Sequence, residues 1–146
     1  MRKIEVYTPF SKPNLETRKK IEQFLFEHLE NFGDPQEDIE KCMDFALKEV
    51  SSFGGFVLAS VEEDEVIGAV IVNQTGMKDY IPENILVYIA THNQQRGKGI
   101  GKELMKKTIE MCNGDIALHV EPDNPARFLY EKFGFGSKYI EMRFKQ

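Results

Sequence analysis

Asn93-Gln94-Gln95-Arg96-Gly97-Lys98-Gly99-Ile100-Gly101-Lys102 carries glycine at three alternate positions. Before it, Ile85-Leu86-Val87-Tyr88-Ile89-Ala90 has the apolar character of a buried strand. After it, Ile100, Leu104, Met105, Thr108, Ile109 and Cys112 recur at helical spacing. A strand that feeds a glycine turn opening a helix aims backbone N–H groups, and the positive end of the helix dipole, at an anion. The stretch predicts a phosphate-binding strand-turn-helix unit.

Outward from this unit, the chain reads as alternating elements. Downstream, Asn113-Gly114 ends the helix and Asp115-Ile116-Ala117-Leu118-His119-Val120-Glu121 is the next strand. Strand, helix, strand makes a right-handed crossover, so these two strands are expected to be parallel. A short helix follows from Ala126 to Phe133. Tyr139-Ile140-Glu141-Met142-Arg143-Phe144 alternates and reads as a last strand. Upstream, Ile4 to Tyr7 is a first strand. Asn14 can cap a helix from about Leu15 to Phe32, with Ile21, Phe24, Leu25, His28, Leu29 and Phe32 on its apolar face. Asp34-Pro35-Gln36-Glu37 has the pattern of a capping box with Pro in the first turn. It opens a second helix carrying Ile39, Cys42, Met43, Ala46, Leu47 and Val50. Phe56 to Val61 and Val66 to Val72 form a hairpin about the charged turn Glu62-Glu63-Asp64-Glu65. Thr75 to Asn84 is a loop long enough to carry function.

The 146 residues suffice for one domain, 1–146, with one core. At 41% hydrophobic and 29% charged residues the composition is that of a soluble globular protein. No apolar run approaches the ~20 residues of a membrane span, and the first residues lack a signal-peptide core. The expectation is a cytoplasmic protein with no membrane partner. A net charge of −5 argues against a nucleic-acid partner, which calls for a basic footprint. Cys42 and Cys112 have no metal-ligand spacing and read as buried free thiols.

Spacing narrows the phosphate ligand. A P-loop requires Lys then Ser or Thr after its second glycine, but Gly101-Lys102 is followed by Glu103, and position 96 is Arg. A dinucleotide fingerprint requires a third glycine where this chain has Lys102 or Leu104. What remains is Arg96-Gly97-Lys98-Gly99-Ile100-Gly101, an R-x-x-G-x-G pattern. This resembles the pyrophosphate-binding signature of the GNAT acetyltransferase superfamily, which uses acetyl-CoA. Asn124-Pro125-Ala126-Arg127-Phe128-Leu129-Tyr130-Glu131-Lys132-Phe133-Gly134-Phe135 resembles the second CoA-contacting segment of that family. Aligning on the longer form of this segment would put Asp123 at the Asn position, and Asn124 is favoured because Asn-Pro-Ala is a common form. The likeness is close over Ile85 to Phe135 and only topological over Met1 to Thr75.

The resemblance implies an α/β (α+β) fold of GNAT type. Its mixed, mostly antiparallel sheet of about six strands would carry helices on both faces and a splayed parallel strand pair that binds CoA. It implies an N-acetyltransferase that moves the acetyl group of acetyl-CoA to a primary amine, on a small molecule, protein or peptide, with no metal. The alternative is a catalytically weak CoA-binding regulatory or interaction module of the same fold. By resemblance, Ile89, Ala90 and Thr91 would pair with the pantetheine arm, with a backbone N–H there on the thioester oxygen. Arg96, Gly97, Lys98, Gly99, Ile100, Gly101 and Lys102 would hold the pyrophosphate, and Asn124 and Tyr130 would contact CoA.

Acetyl transfer sets its own demands. An alkyl amine with a pKa near ~10.4 is neutral in roughly one molecule in two thousand at pH 7, so a base or a proton path is useful. Tyr130 matches the family tyrosine facing the CoA sulfur and is the candidate general acid, against its alternative as a core residue. For the base, His119 lies on the strand after the glycine helix, and imidazole titrates near neutrality. A buried structural histidine is the competing reading. Glu83, at the entrance to the preceding strand, could act through water. His28, on a helix core face, and His92, at a strand end, are weaker candidates. Dimerisation is common in the family, and the last strand offers an edge for a homodimer.

Overall fold

A computed structural model of residues 1–146 describes every residue except the side chain of Asn31. The elements are β1 (Arg2–Tyr7), α1 (Leu15–His28), a 3₁₀ turn (Glu30–Phe32), α2 (Gln36–Ala46), β2 (Gly55–Glu62), β3 (Glu65–Gln74), β4 (Asn84–Thr91), α3 (Ile100–Met111), β5 (Ile116–Leu118) and α4 (Arg127–Lys132). The five strands form one sheet in the order β1-β2-β3-β4-β5. All neighbours are antiparallel except β4 and β5, which are parallel, as the crossover predicts.

Each face of the sheet has its own core. Helices α1 and α2 lay Ile21, Leu25, Ile39 and Met43 on Val57, Ala59, Ala69 and Ile71. Helix α3 lays Ile100, Leu104 and Met105 on Leu58, Val70, Val72 and Leu86. Helix α3 sits close because Gly68 on β3 has no side chain: a Cβ there would stand 2.7 Å from Leu104 Cδ1 and 2.8 Å from Ile100 Cγ2.

A bulge in β4 decides which side chains face which core. Ile71 pairs with Tyr88 but Val72 pairs with Leu86, so Val87 is an extra residue. Leu86 therefore belongs to the α3 face while Tyr88 and Ala90 belong to the α1/α2 face. Without the bulge, residues two apart would point the same way.

Three local expectations change. The first helix ends at His28, and only a 3₁₀ turn continues to Phe32. Asn14 does cap it, its Oδ1 accepting from the Thr17 N–H at 2.8 Å. Asp34 does not cap α2: the helix begins at Gln36 with no side-chain cap, and Asp34 Oδ2 accepts instead from the Tyr88 hydroxyl. The helix stops at Ala46, leaving Val50 half exposed. Finally, the sheet has five strands rather than about six. Tyr139 to Phe144 forms no strand, and β5 ends at Leu118 instead of Glu121. A strand exists only as a hydrogen-bonded partner, and alternation alone does not supply one. Of the two free thiols, Cys42 is buried and Cys112 only partly so.

Candidate active site

Strands β4 and β5 are paired only from Asn84/Ile116 to Leu86/Leu118. Asn84 fastens this paired end: it is buried, and its Nδ2 donates to the carbonyls of Asn113 at 3.0 Å and Asp115 at 3.2 Å. Past Leu86, β4 continues through Thr91 with no ladder to β5. The parallel pair thus opens into a wedge whose β4 wall is Val87 to Thr91. Its other wall starts at His119.

The wedge leads to the glycine turn. Gly97 and Gly99 have φ of +84° and +81°, the left-handed region that glycine adopts without strain. A Cβ at either would meet nothing within 4 Å, so the backbone there faces open space. Gly99 is the N-cap of α3 and offers no side chain to its first-turn N–H groups. These donors and the helix dipole suit a diphosphate. The turn also meets the second motif: a Cβ on Gly101 would lie 3.3 Å from Leu129 Cδ2 and 3.5 Å from Thr91 Cγ2. The end of β4, the start of α3 and helix α4 therefore converge at one point.

Other residues shape the turn. Arg2 reaches from β1, with Nε 2.9 Å and Nη2 3.1 Å from the two Glu103 carboxylate oxygens, and Nη2 also donates to the Lys98 carbonyl at 3.2 Å. Glu103 lies in the first turn of α3, where its charge would oppose an incoming anion, and Arg2 offsets it. Arg96 pairs with Glu30 at 3.3 Å, both half exposed. Lys98 Nζ donates to Gln95 Oε1 at 2.9 Å. On the α1 side, the imidazoles of His28 and His92 stack with centroids 4.3 Å apart, and Phe24 lies 4.6 Å from His28. Each ring accepts a turn N–H at Nδ1: Asn93 to His28 at 3.3 Å, Gln94 to His92 at 3.1 Å. Burial, with help from His92 and Arg96, moves the His28 pKa down against the pull of Glu27 and Glu30. Neither the Arg2 clasp nor this histidine pair is legible in the sequence, because the partners lie far apart along the chain.

The candidate catalytic groups fall at different places. Tyr130 is 8% exposed on α4, edge-on to Phe135 with centroids 6.2 Å apart. Burial pushes its hydroxyl up to about 12. His119 is the first residue past the last β4/β5 pair and is exposed, with Nδ1 3.8 Å from Glu141 Oε1. Glu83 stands at the opposite, closed end, where its Oε1 accepts the Asp115 N–H at 3.2 Å. Asn124 Oδ1 accepts the Ala126 N–H at 2.9 Å and so starts the turn into α4. No such bond is recorded for Asp123. Among the described residues, no cluster of three or more His, Cys, Asp or Glu could hold a metal ion, and no helix is long and apolar enough to cross a membrane.

Comparison with known proteins bears on the family and the fold. Residues 18–135 match the Acetyltransferase (GNAT) family. A 63-residue stretch is 35% identical to the cysteine-rich protein 2-binding protein of Mus musculus, and to the same extent to its Homo sapiens counterpart. That stretch is 42% of this chain but spans only 8% of those proteins. Among solved structures, a Pyrococcus horikoshii protein superposes with a TM-score of 0.73 at 21% identity, covering 97% of this chain and 93% of that one. An aminoglycoside acetyltransferase from an uncultured soil metagenomic sample, solved with sisomicin, gives a TM-score of 0.68 at 16% identity over 99% and 96% of the two chains. At these identities the structural likeness concerns the fold.

Proposed function

The chain belongs to the GNAT acetyltransferase family, and from that premise we propose that it moves the acetyl group of acetyl-CoA to a primary amine by direct attack in a ternary complex. The observation that carries this reading is the β4/β5 wedge, whose open wall runs straight into a glycine turn with free backbone donors.

The chain's own groups divide the work. Backbone N–H groups from Gly97 to Lys102 hold the pyrophosphate, with Arg96 and Lys98 beside them. The β5-side backbone edge of Ile89, Ala90 and Thr91, which no strand pairs, takes the pantetheine amides. An unpaired N–H on β4 beyond Leu86 meets the developing oxyanion as nitrogen attacks the thioester carbon. The new C–N bond forms, the C–S bond breaks, and the nitrogen loses a proton.

Tyr130 takes a narrower role than a free acid. A hydroxyl pushed up to about 12 stays protonated at neutral pH. Full transfer to a thiolate with a pKa of ~8.5 would be uphill by roughly 5 kcal/mol. Tyr130 therefore donates a hydrogen bond that stabilises the departing sulfur, and the proton that finally neutralises it comes from solvent. For the amine proton, His119 at the mouth of the wedge is the better placed base, since the Glu83 carboxylate is engaged at the closed end. The acceptor is a small-molecule amine or an amine on a protein or peptide. Polycationic amines such as aminoglycosides belong in the first panel, by analogy with one structural neighbour and with the net charge of −5.

An acceptor panel at fixed acetyl-CoA, followed by free-thiol release, tests the reading. Turnover on at least one amine is expected, with kcat lowered about 10–100-fold in Tyr130→Phe, the worth of one hydrogen bond to a charged group. His119→Ala should lose the acidic limb of the pH–rate profile while Glu83→Gln keeps it. Thermal stabilisation by CoA with no amine turned over would make the protein a CoA-binding module instead.

A further inference from the structure

Three rings tie helix α1 to the glycine turn. Phe24 stacks on His28 at 4.6 Å and His28 on His92 at 4.3 Å, centroid to centroid. The His28 side chain is only 10% exposed. The stack ends on the residues that lead from β4 to Arg96, and each N–H from His92 to Gln95 has an acceptor. His92 N donates to the Ile67 carbonyl and Gln95 N to the His92 carbonyl, both at 2.9 Å. Asn93 N donates instead to His28 Nδ1 at 3.3 Å, and Gln94 N to His92 Nδ1 at 3.1 Å. Half of the bonds that set the entry to the turn thus end on groups that titrate, where a carbonyl would not.

A neutral imidazole that accepts at Nδ1 carries its proton on Nε2. It has no free lone pair with which to act as a base. A second proton must go to Nδ1, which then meets the backbone N–H as donor against donor. Two cationic rings at this spacing would also repel each other. Charges of both signs face the pair. Glu27 of α1 has Oε2 3.9 Å from His28 Nε2, Glu30 lies in the 3₁₀ turn, and Arg96 in the glycine turn. Glu16, Lys19 and Lys20 of α1, with Asp64 and Glu65 beside the β2–β3 turn, share a surface hollow with both rings. For His28, burial comes first and His92 second in driving the proton off. Glu27 opposes them, Arg96 adds to them, and Glu30 opposes. The His28 pKa is therefore lowered, so its ring stays neutral at pH 7 and charges only as pH falls below the ordinary imidazole value of ~6.5.

We propose that His28 and His92 are positioning residues for the glycine turn: neutral, they hold Asn93 and Gln94 and preset the turn for the pyrophosphate, and protonated, they release it. They act through two backbone N–H groups rather than on the donor. The proposal rests on the acetyl-CoA reading and adds to it that donor binding weakens in mild acid.

Imidazole nitrogen NMR of the free protein at neutral pH should show the Nε2–H tautomer for both rings, and an Nδ1–H tautomer in either overturns the proposal. Asparagine sets its Oδ1 where Nδ1 stood and does not titrate, so His28→Asn with His92→Asn keeps both acceptors at every pH. Without ligand, the protection of the Asn93 and Gln94 amides, corrected for the intrinsic pH dependence of exchange, should fall several-fold to about tenfold from about pH 7.5 to about pH 5.5 in the wild type and hold in the double variant. Protection that holds in the wild type overturns the proposal. Over the same range, CoA affinity by calorimetry should drop roughly tenfold more in the wild type than in the double variant, the worth of one or two neutral hydrogen bonds. The comparison cancels the protonation of CoA's own phosphate. An equal drop overturns the proposal. No CoA binding by either protein at either pH, with the amide contrast intact, overturns the acetyl-transfer reading instead.

Discussion

The two faces of the sheet are finished to different degrees. The α1/α2 face is closed: Ile21, Leu25, Ile39, Met43 and Ala46 are wholly buried, and its buried carboxylate, Glu22, is paired. Arg18 there bridges Glu22 at 2.9 Å and Asp44 at 2.6 Å, and donates to the Glu40 carbonyl at 3.2 Å. The α3/α4 face is closed only under α3. Toward the wedge, Ile89, Leu118, Val120, Leu129 and Phe133 are partly buried. On the proposed reading, one face supplies stability and the other leaves a gap for a ligand arm. Stability and binding should therefore respond to different substitutions.

The most severe way to break this comparison is through Arg18. Arg18→Ala would leave Glu22, 4% exposed, as an uncompensated buried charge. That costs about 3–5 kcal/mol, a fall in Tm of the order of 10 °C by thermal melt. The KM for acetyl-CoA in the surviving folded protein should not move; if it rises in step, the two faces are not separate.

Alkaline pH tests both faces at once. Burial raises Cys42 to about 12 on the closed face, and Tyr130 to about 12 and Cys112 to about 11 on the open one. Each binds its proton more tightly folded than unfolded. The stability they contribute is full below the unfolded values near 9 to 10 and is lost as pH climbs through 11 to 12. For Tyr130 alone the loss approaches about 3 kcal/mol. Urea midpoints from pH 8 upward should fall accordingly, with Tyr130→Phe removing part of the open face's share and Cys42→Ala part of the closed face's, where burial and Asp34 also raise Tyr88.

The smallest effect is the sharpest. Gly99→Ala forces a left-handed residue, costing ~1–2 kcal/mol, and puts a methyl into the open cradle. Binding of acetyl-CoA by calorimetry should weaken about tenfold while Arg18-dependent stability stays. Unchanged affinity would remove the turn from the donor site.

What could be read from the sequence was local or periodic. The glycine turn, its flanking strand and helix, and the parallel β4/β5 pair all follow from spacing within some thirty residues. Asp34 shows where such reading stops. Its position before Pro35 has the chemistry of a cap, yet its carboxylate serves Tyr88, 54 positions away. The His28–His92 stack and the Val87 bulge are likewise products of packing between distant segments. Tyr139 to Phe144 alternates as a strand should, but alternation names a face and not a neighbour. The candidate site splits in the same way: Gly97, Gly99 and Tyr130 were visible in motifs, whereas Arg2 was not.

The Arg2 clasp bears on the order in which the molecule can assemble. It joins residues 96 and 101 positions apart along the chain. Contacts of such long range form late, because the loop between them must close first. Until β1 has found the sheet and α3 has docked, the glycine turn lacks its link to β1 and Glu103 stands without its partner cation. On the proposed reading, competence to hold the donor waits on this long-range contact, so partly unfolded copies should not bind it.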